Sequence, residues 1–245
     1  MRVVPFIAAT ALLTAAAAAQ KPAPAPAAYK AVPIALPTPI NDEAFAALRK
    51  AVGEAAQGKD RAALAKLVVA QGFFWLRDGR IIVDKRKSGF DVLVAALGLN
   101  NKEGAGWEIL SSTAEDTAAS AVPGRAGALC APAEPAYDRK AFAELLAATA
   151  SDIAEWGYPV SADIAAHGAP QSGAPVIEKL GLYFVRLMPD TASDPPSWLR
   201  IAVPSGKIGY VSVDSIAPIG NDQICYVKDG GGWKIGGYVG GGEPQ

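Results

Sequence analysis

Between residues 160 and 213 the chain breaks into short apolar runs separated by Gly, Pro and Ser, and this spacing restricts the fold more than any other feature. The runs include Ile164-Ala-Ala-His167, Val176-Ile-Glu-Lys-Leu180, Trp198-Leu-Arg-Ile-Ala-Val203 and Ile208-Gly-Tyr-Val211, with Gly168, Pro170, Gly173, Pro175, Ser205 and Gly206 between them. Apolar runs this short, bounded by turn residues at close intervals, predict a small all-β barrel. The 25 Gly and 19 Pro point the same way, favouring loops and strands over long helices.

A chain of 245 residues has room for one or two domains. Its net charge of −1 supplies no field that would gather nucleic acid or an anionic membrane surface. Residues 1–19 read as a secretory signal: Arg2, an apolar stretch through Leu13, and Ala17-Ala18-Ala19 as a small-residue cleavage site before Gln20. The competing reading is an N-terminal anchor, but the apolar part is short and alanine-rich for a hydrocarbon core of about 30 Å. The expectation is an exported chain, periplasmic or secreted, with no membrane span after cleavage. Residues 20–40 alternate Pro with small residues and read as an extended linker.

A small α+β domain is expected over 41–122. Asn41 is placed to cap a first helix, with Phe45, Leu48 and Val52 on one face, and Asp60 a second with Leu64 and Leu67 inward. Phe73-Phe-Trp-Leu-Arg77, Asp78-Gly79 and Arg80-Ile-Ile-Val83 form a hairpin signal, because a tight hairpin turn needs positive φ at its centre. Ser88 caps a third helix closed by Gly98, and Trp107-Glu-Ile-Leu110 reads as a strand. Phe73, Phe74 and Trp75 read as core and sheet packing before any sugar platform. Lys85-Arg86-Lys87 reads as a solvated hairpin end before any phosphate site.

The Pro- and Gly-rich stretch 121–135 is the expected boundary, and a second domain over 129–240 follows. It starts with a helix from Asp138, in which Phe142, Leu145 and Leu146 share a side that Ile153 and Trp156 continue. It closes with a hairpin around Asp229-Gly230-Gly231, and a frayed tail 240–245 trails it. The two cysteines, Cys130 and Cys225, lie at the two ends of this domain in a chain expected to be exported, and an even pair there predicts a disulfide. Such a bond would tie the lead-in to the trailing hairpin and clamp the ends of the barrel.

Residues 160–213 resemble the bacterial SH3-like (SH3b) family. That family runs from a strand into an Arg-Ser/Gly-Pro loop, then Val-Ile-x-x-Leu, Trp-x-x-Val and Gly-Lys-x-Gly-Trp/Tyr-Val strands. Here the corresponding residues are His167-Gly-Ala-Pro170, Val176 to Leu180, Trp198 to Val203, and Gly206-Lys-Ile-Gly-Tyr-Val211. His167 stands where the family has Arg. The resemblance implies an α+β protein ending in an SH3-like β-barrel, with Tyr183, Trp198, Tyr210 and His167 as candidate ligand-binding residues. For His167 a structural role, donating to loop carbonyls, competes with lining a ligand groove; for the aromatics, core packing competes with a contact surface.

Catalytic signatures are missing from the sequence. One His and two distant Cys supply neither a nucleophile relay nor a zinc site. No Gly-x-Ser-x-Gly or Gly-x-x-x-x-Gly-Lys-Ser/Thr occurs, and the glycines near Trp233 read as strand and turn. Asp152 and Glu155 read as surface charges rather than an acid/base pair. The sequence therefore points to a non-catalytic binding module without cofactor or metal, whose partner is peptidoglycan or an envelope protein. A wall hydrolase or amidase, and an envelope scaffold subunit, are the alternatives.

Overall fold

The computed structural model describes residues 26–77, 79–122, 124–189 and 197–240. The expected signal segment, the first residues of the linker, Asp78 of the hairpin turn and the tail 241–245 lie outside the described residues.

Helix starts follow the capping chemistry. Asp42, one residue past the expected Asn41, sits in extended conformation and accepts the Phe45 N–H at 3.0 Å, opening α1 (Glu43–Gln57). Asp60 caps α2 (Arg61–Leu67), and Ser88 caps α3 (Gly89–Leu97), which Gly98 ends in the left-handed conformation at φ 59°. The strand expected at Trp107 is instead part of helix α4 (Ala105–Glu115). Trp107, Leu110 and Ala114 recur at helical spacing and are buried, and a Cβ on Gly53 of α1 would lie 3.5 Å from Ala114.

Between and after these helices lie β1 (Ile34–Ala35), β2 (Phe74–Arg77), β3 (Arg80–Val83), β4 (Ser120–Ala121), β5 (Leu129–Ala131) and β6 (Ala136–Tyr137). Asp138 then caps α5 (Arg139–Thr149), which stops at Ala150 with φ 47°. The helix does not continue to Trp156, which opens a strand. The remaining strands are β7 (Trp156–Pro159), β8 (Ile164–His167), β9 (Val176–Leu180), β10 (Val185–Met188), β11 (Trp198–Ala202), β12 (Ile208–Ser212), β13 (Ile216–Pro218), β14 (Gln223–Asp229) and β15 (Gly232–Val239).

The strands form two large sheets and a β1–β6 pair. The first sheet has the order β3-β2-β15-β14-β5-β4. Helices α1 to α4 cover one of its faces through a core that includes Phe45, Leu64, Leu93, Leu110, Tyr226 and Ile235. Its other face carries Phe74, Ala128, Cys130 and Cys225. The second sheet has the order β13-β7-β10-β11-β12-β8-β9 and is antiparallel throughout. Strands β8 to β13 all send residues into one apolar cluster, Ala166, Leu180, Val185, Ile201, Val211 and Ile216, so this sheet curls about it. Its terminal strands β13 and β9 are not paired with each other among the described residues, and the sheet is open. The α+β class stands; a closed barrel does not form.

Two further expectations are corrected. The hairpin β14–β15 does not extend the second sheet. β15 pairs in parallel with β2 (Gly237 with Phe74, Tyr238 with Trp75), and β14 pairs with β5. Residues 136–218 are thus inserted between neighbouring strands of the first sheet. Residues 26–40 do not behave as a bare spacer either. Val32 and Ile34 are buried with Phe142, Leu145, Trp156 and Phe184, and the Tyr29 hydroxyl donates to the Ala202 carbonyl at 2.8 Å. Alternating Pro keeps this stretch extended, and its apolar side chains cover surface that the second sheet and α5 would otherwise expose. Burial pushes the Tyr29 phenol far above its usual range, so it stays a donor.

The cysteine expectation holds in its pairing. Cys130 and Cys225 are directly opposite on β5 and β14, bonded, with Cα atoms 4.0 Å apart. The bond lies within the first sheet rather than across the ends of the second.

Candidate binding face

In the second sheet, alternate residues of each strand point away from the inner cluster. On β10 these are Arg186 and Met188, on β11 Trp198 and Arg200, on β12 Tyr210 and Ser212. The half of this outer face nearest β7 is covered by α5 and residues 26–36, through the cluster around Trp156. Arg186 is held there by Glu155, whose Oε2 accepts from Nε at 3.1 Å and Nη2 at 2.7 Å.

The half nearest β8 has no such cover among the described residues. Register places His167, Tyr210, Arg200 and Met188 side by side across β8, β12, β11 and β10. Directly opposed residues of antiparallel strands have Cβ atoms about 5 Å apart, so the row is continuous. Trp198 meets the His167 ring edge-on, with centroids 5.6 Å apart. His167, Trp198, Arg200 and Tyr210 are all half-buried, as side chains lying on a sheet are. The face offers two π systems, a fixed imidazole, a guanidinium and a thioether.

His167 serves the loop as well. Its Nδ1 donates to the Ala174 carbonyl at 2.9 Å, closing the turn-rich stretch 168–174. The β8–β9 register shifts here, His167 pairing with Val176 after Ala166 with Glu178, so that Ile177 of β9 is the extra residue. Tyr183 is not brought to this face. It packs at the margin of the inner cluster, bridges to Pro33, and donates its hydroxyl to Glu178 Oε1 at 3.0 Å. Burial, followed by that carboxylate, raises the Tyr183 phenol's pKa. Of the four expected ligand-binding residues, three come together and one does not. Arg200 completes the row; only the β11–β12 register singles it out from the chain's other arginines.

A cleft of about 680 Å³ lies between the first sheet and the β6 segment, lined by Ser120, Glu134, Tyr137, Arg139 and Gln223 among others. Its polar groups serve the fold: Gln223 Nε2 donates to the Pro132 carbonyl, Glu134 Oε1 accepts the Gly220 N–H, and Ser120 Oγ accepts the Glu134 N–H. Asp152 and Glu155 form a reciprocal cap on a short helical turn, Ile153–Glu155. Phe73 and Phe74 are core, at 1% and 0% exposure. Among the described residues, no group of three or more His, Cys, Asp and Glu gathers as metal ligands, and no helix is long and apolar enough to cross a membrane.

No family model, curated protein or solved structure matches the chain.

Proposed function

We propose that this protein is an exported, non-catalytic binding module whose inserted second sheet is SH3-like and binds a wall glycopeptide or an extended protein segment on its uncovered outer face. The observation that carries the reading is the row His167, Tyr210, Arg200, with Trp198 packed on His167, beside a half-face already covered by the chain's own residues. Aromatic rings and a guanidinium held on strands give flat, rigid contact area, which suits sugar rings and peptide backbones. The strand motifs and the small curled sheet support the SH3-like reading. The bonded cysteine pair is in keeping with an oxidising compartment.

Cosedimentation of the purified protein with insoluble peptidoglycan, alongside titration with soluble muropeptides and with extended peptides, tests the reading. Trp198→Ala and Tyr210→Ala are each expected to weaken binding about tenfold or more, while stability falls by about 1 kcal/mol or less. Tyr183→Ala is expected to do the reverse, losing about 2 kcal/mol of stability and leaving the affinity of the folded protein unchanged. Release of soluble fragments from peptidoglycan would replace the binding module with a hydrolase. Ligand binding untouched by both Trp198→Ala and Tyr210→Ala would move the site elsewhere.

A further inference from the structure

The first sheet ends on β3, and Gly124 lies beside Ile81 on one of its faces. One of its edges is paired with β2, from Phe74 opposite Val83 to Arg77 opposite Arg80. Among the described residues no strand takes the other edge. Successive strand residues point to opposite faces, so Ile81 lies on the face of Leu76 and Ile82 on the face of Trp75. Both isoleucines are exposed, at 38% and 51%. An unpaired edge with a bulky aliphatic side chain on each face is a template for another strand unless something occupies it.

The surroundings state what charge that strand should carry. Residues 77–87 contain five cations, Arg77, Arg80, Lys85, Arg86 and Lys87, and two acids, Asp78 and Asp84, a local balance of +3 in a chain of net charge −1. All five cations are exposed. Asp84 is turned to the backbone, accepting the Arg86 N–H at 2.9 Å. With its amide nitrogen facing them, Gln71 donates to the carbonyls of Lys85 and Lys87 at 3.3 Å and holds the basic corner in place.

We propose that β3 is a docking edge that takes an extended acidic segment of a partner protein as an added strand. A second copy of this chain fits poorly, because pairing β3 with itself in either direction sets one basic cluster against another. An anionic membrane also fits poorly. A bilayer surface can meet one face of the sheet, whereas Ile81 and Ile82 lie on opposite faces; an added strand meets both. This edge is separate from the outer face of β8 to β12, and the two sites can fail independently.

The test uses the full mature chain and a short synthetic peptide with a Val-Thr-Ile-Thr-Val centre and two acidic residues at each end. Binding is followed by fluorescence anisotropy and by amide exchange of Arg80–Val83. The acidic peptide is expected to slow exchange in β3 and to bind at least about tenfold more tightly than the same centre with lysine ends. N-methylation of every residue of the peptide's centre should abolish binding, because the added strand would then have no backbone N–H to give β3 on either of its edges. The triple variant Arg80→Glu, Lys85→Glu, Lys87→Glu should reverse the preference between the two peptides. These side chains are exposed, and a melting curve matching the parent confirms that the variant folds. Trp198→Ala should leave the peptide affinity unchanged. Equal binding of both peptides, or binding that survives N-methylation, overturns the proposal. So does no binding at all, dimerisation lost on Ile82→Lys, or capture by phosphatidylglycerol vesicles without competition from the peptide.

Discussion

Glu155 is fixed from two sides. Its Oε1 accepts the Asp152 N–H at 2.9 Å and its Oε2 accepts from Arg186. The Asp152 N–H first, then Arg186, holds its carboxyl below the usual range. A depressed folded-state pKa contributes stability above the unfolded value, near 4.5, and that contribution is lost as pH falls through the folded value. Glu155→Gln should therefore lower the urea midpoint at neutral pH, and the gap to the parent protein should close as pH drops below about 4.5. A gap that stays constant with pH would assign the effect to the hydrogen bonds alone. The carboxylate is partly exposed, so the change should be modest and shrink with added salt. The sequence reading of Asp152 and Glu155 as surface charges agrees with this geometry, but Glu155's partner Arg186, 31 residues away, is not legible in the sequence.

At the scale of elements, β15 shows why a Gly-rich stretch near Trp233 is strand rather than phosphate loop. β14 and β15 meet at a two-residue turn, Asp229 paired with Gly232, with Gly230 and Gly231 at φ 59° and 87°. Both positive values are what the tight turn requires. Gly237 has a different reason: a Cβ there would lie 2.3 to 2.6 Å from three carbons of the fully buried Phe74 ring. Gly237→Ala is expected to lose about 1–3 kcal/mol by overpacking. Gly173→Ala, with open space around it, should stay within about 0.5 kcal/mol of the parent. Chemical denaturation of both variants checks the pair of outcomes. α4 is one element whose sequence misleads, because four residues, Trp107-Glu-Ile-Leu110, fit a period of two as well as 3.6. The buried positions beyond it, Thr113 and Ala114, decide for the helix.

For the whole molecule, the disulfide sits where the chain leaves the first sheet on β5 and returns on β14, the two cysteines being 95 positions apart in the chain. It joins the two sides of the insertion at their root. Replacing both cysteines by alanine should cost about 2–4 kcal/mol, with the chain-entropy estimate nearer 4.7 for a loop of this length. Because both sulfurs lie in the first sheet, the loss should appear first in that sheet. Amide exchange in β5 and β14 should rise before exchange in β11 and β12. Equal loosening of both sheets would show that the bond stabilises the insertion itself. Both cysteines are at most 1% exposed, so the bond should also resist reductant until the protein opens.

What the sequence determined by itself was local. Caps at Asp60, Ser88 and Asp138, the Gly230-Gly231 turn, the strand runs of 164–211 and the identity of the cysteine pair all depend on interactions between residues close in the chain, or on a count of two. Tertiary structure alone decided which strands share a sheet. A strand's apolar pattern says which face is buried but not which neighbour supplies its hydrogen bonds, so the pairing of β15 with β2, more than 150 residues apart, left no mark on either segment. The same reason separates the aromatics. Trp198, Tyr210 and Tyr183 are alike as side chains in short strand-like runs, and only register across β8, β12 and β11, together with the fold of residues 26–36 over part of the sheet, leaves the first two on a half-face that no other element covers among the described residues and draws the third to the margin of the core.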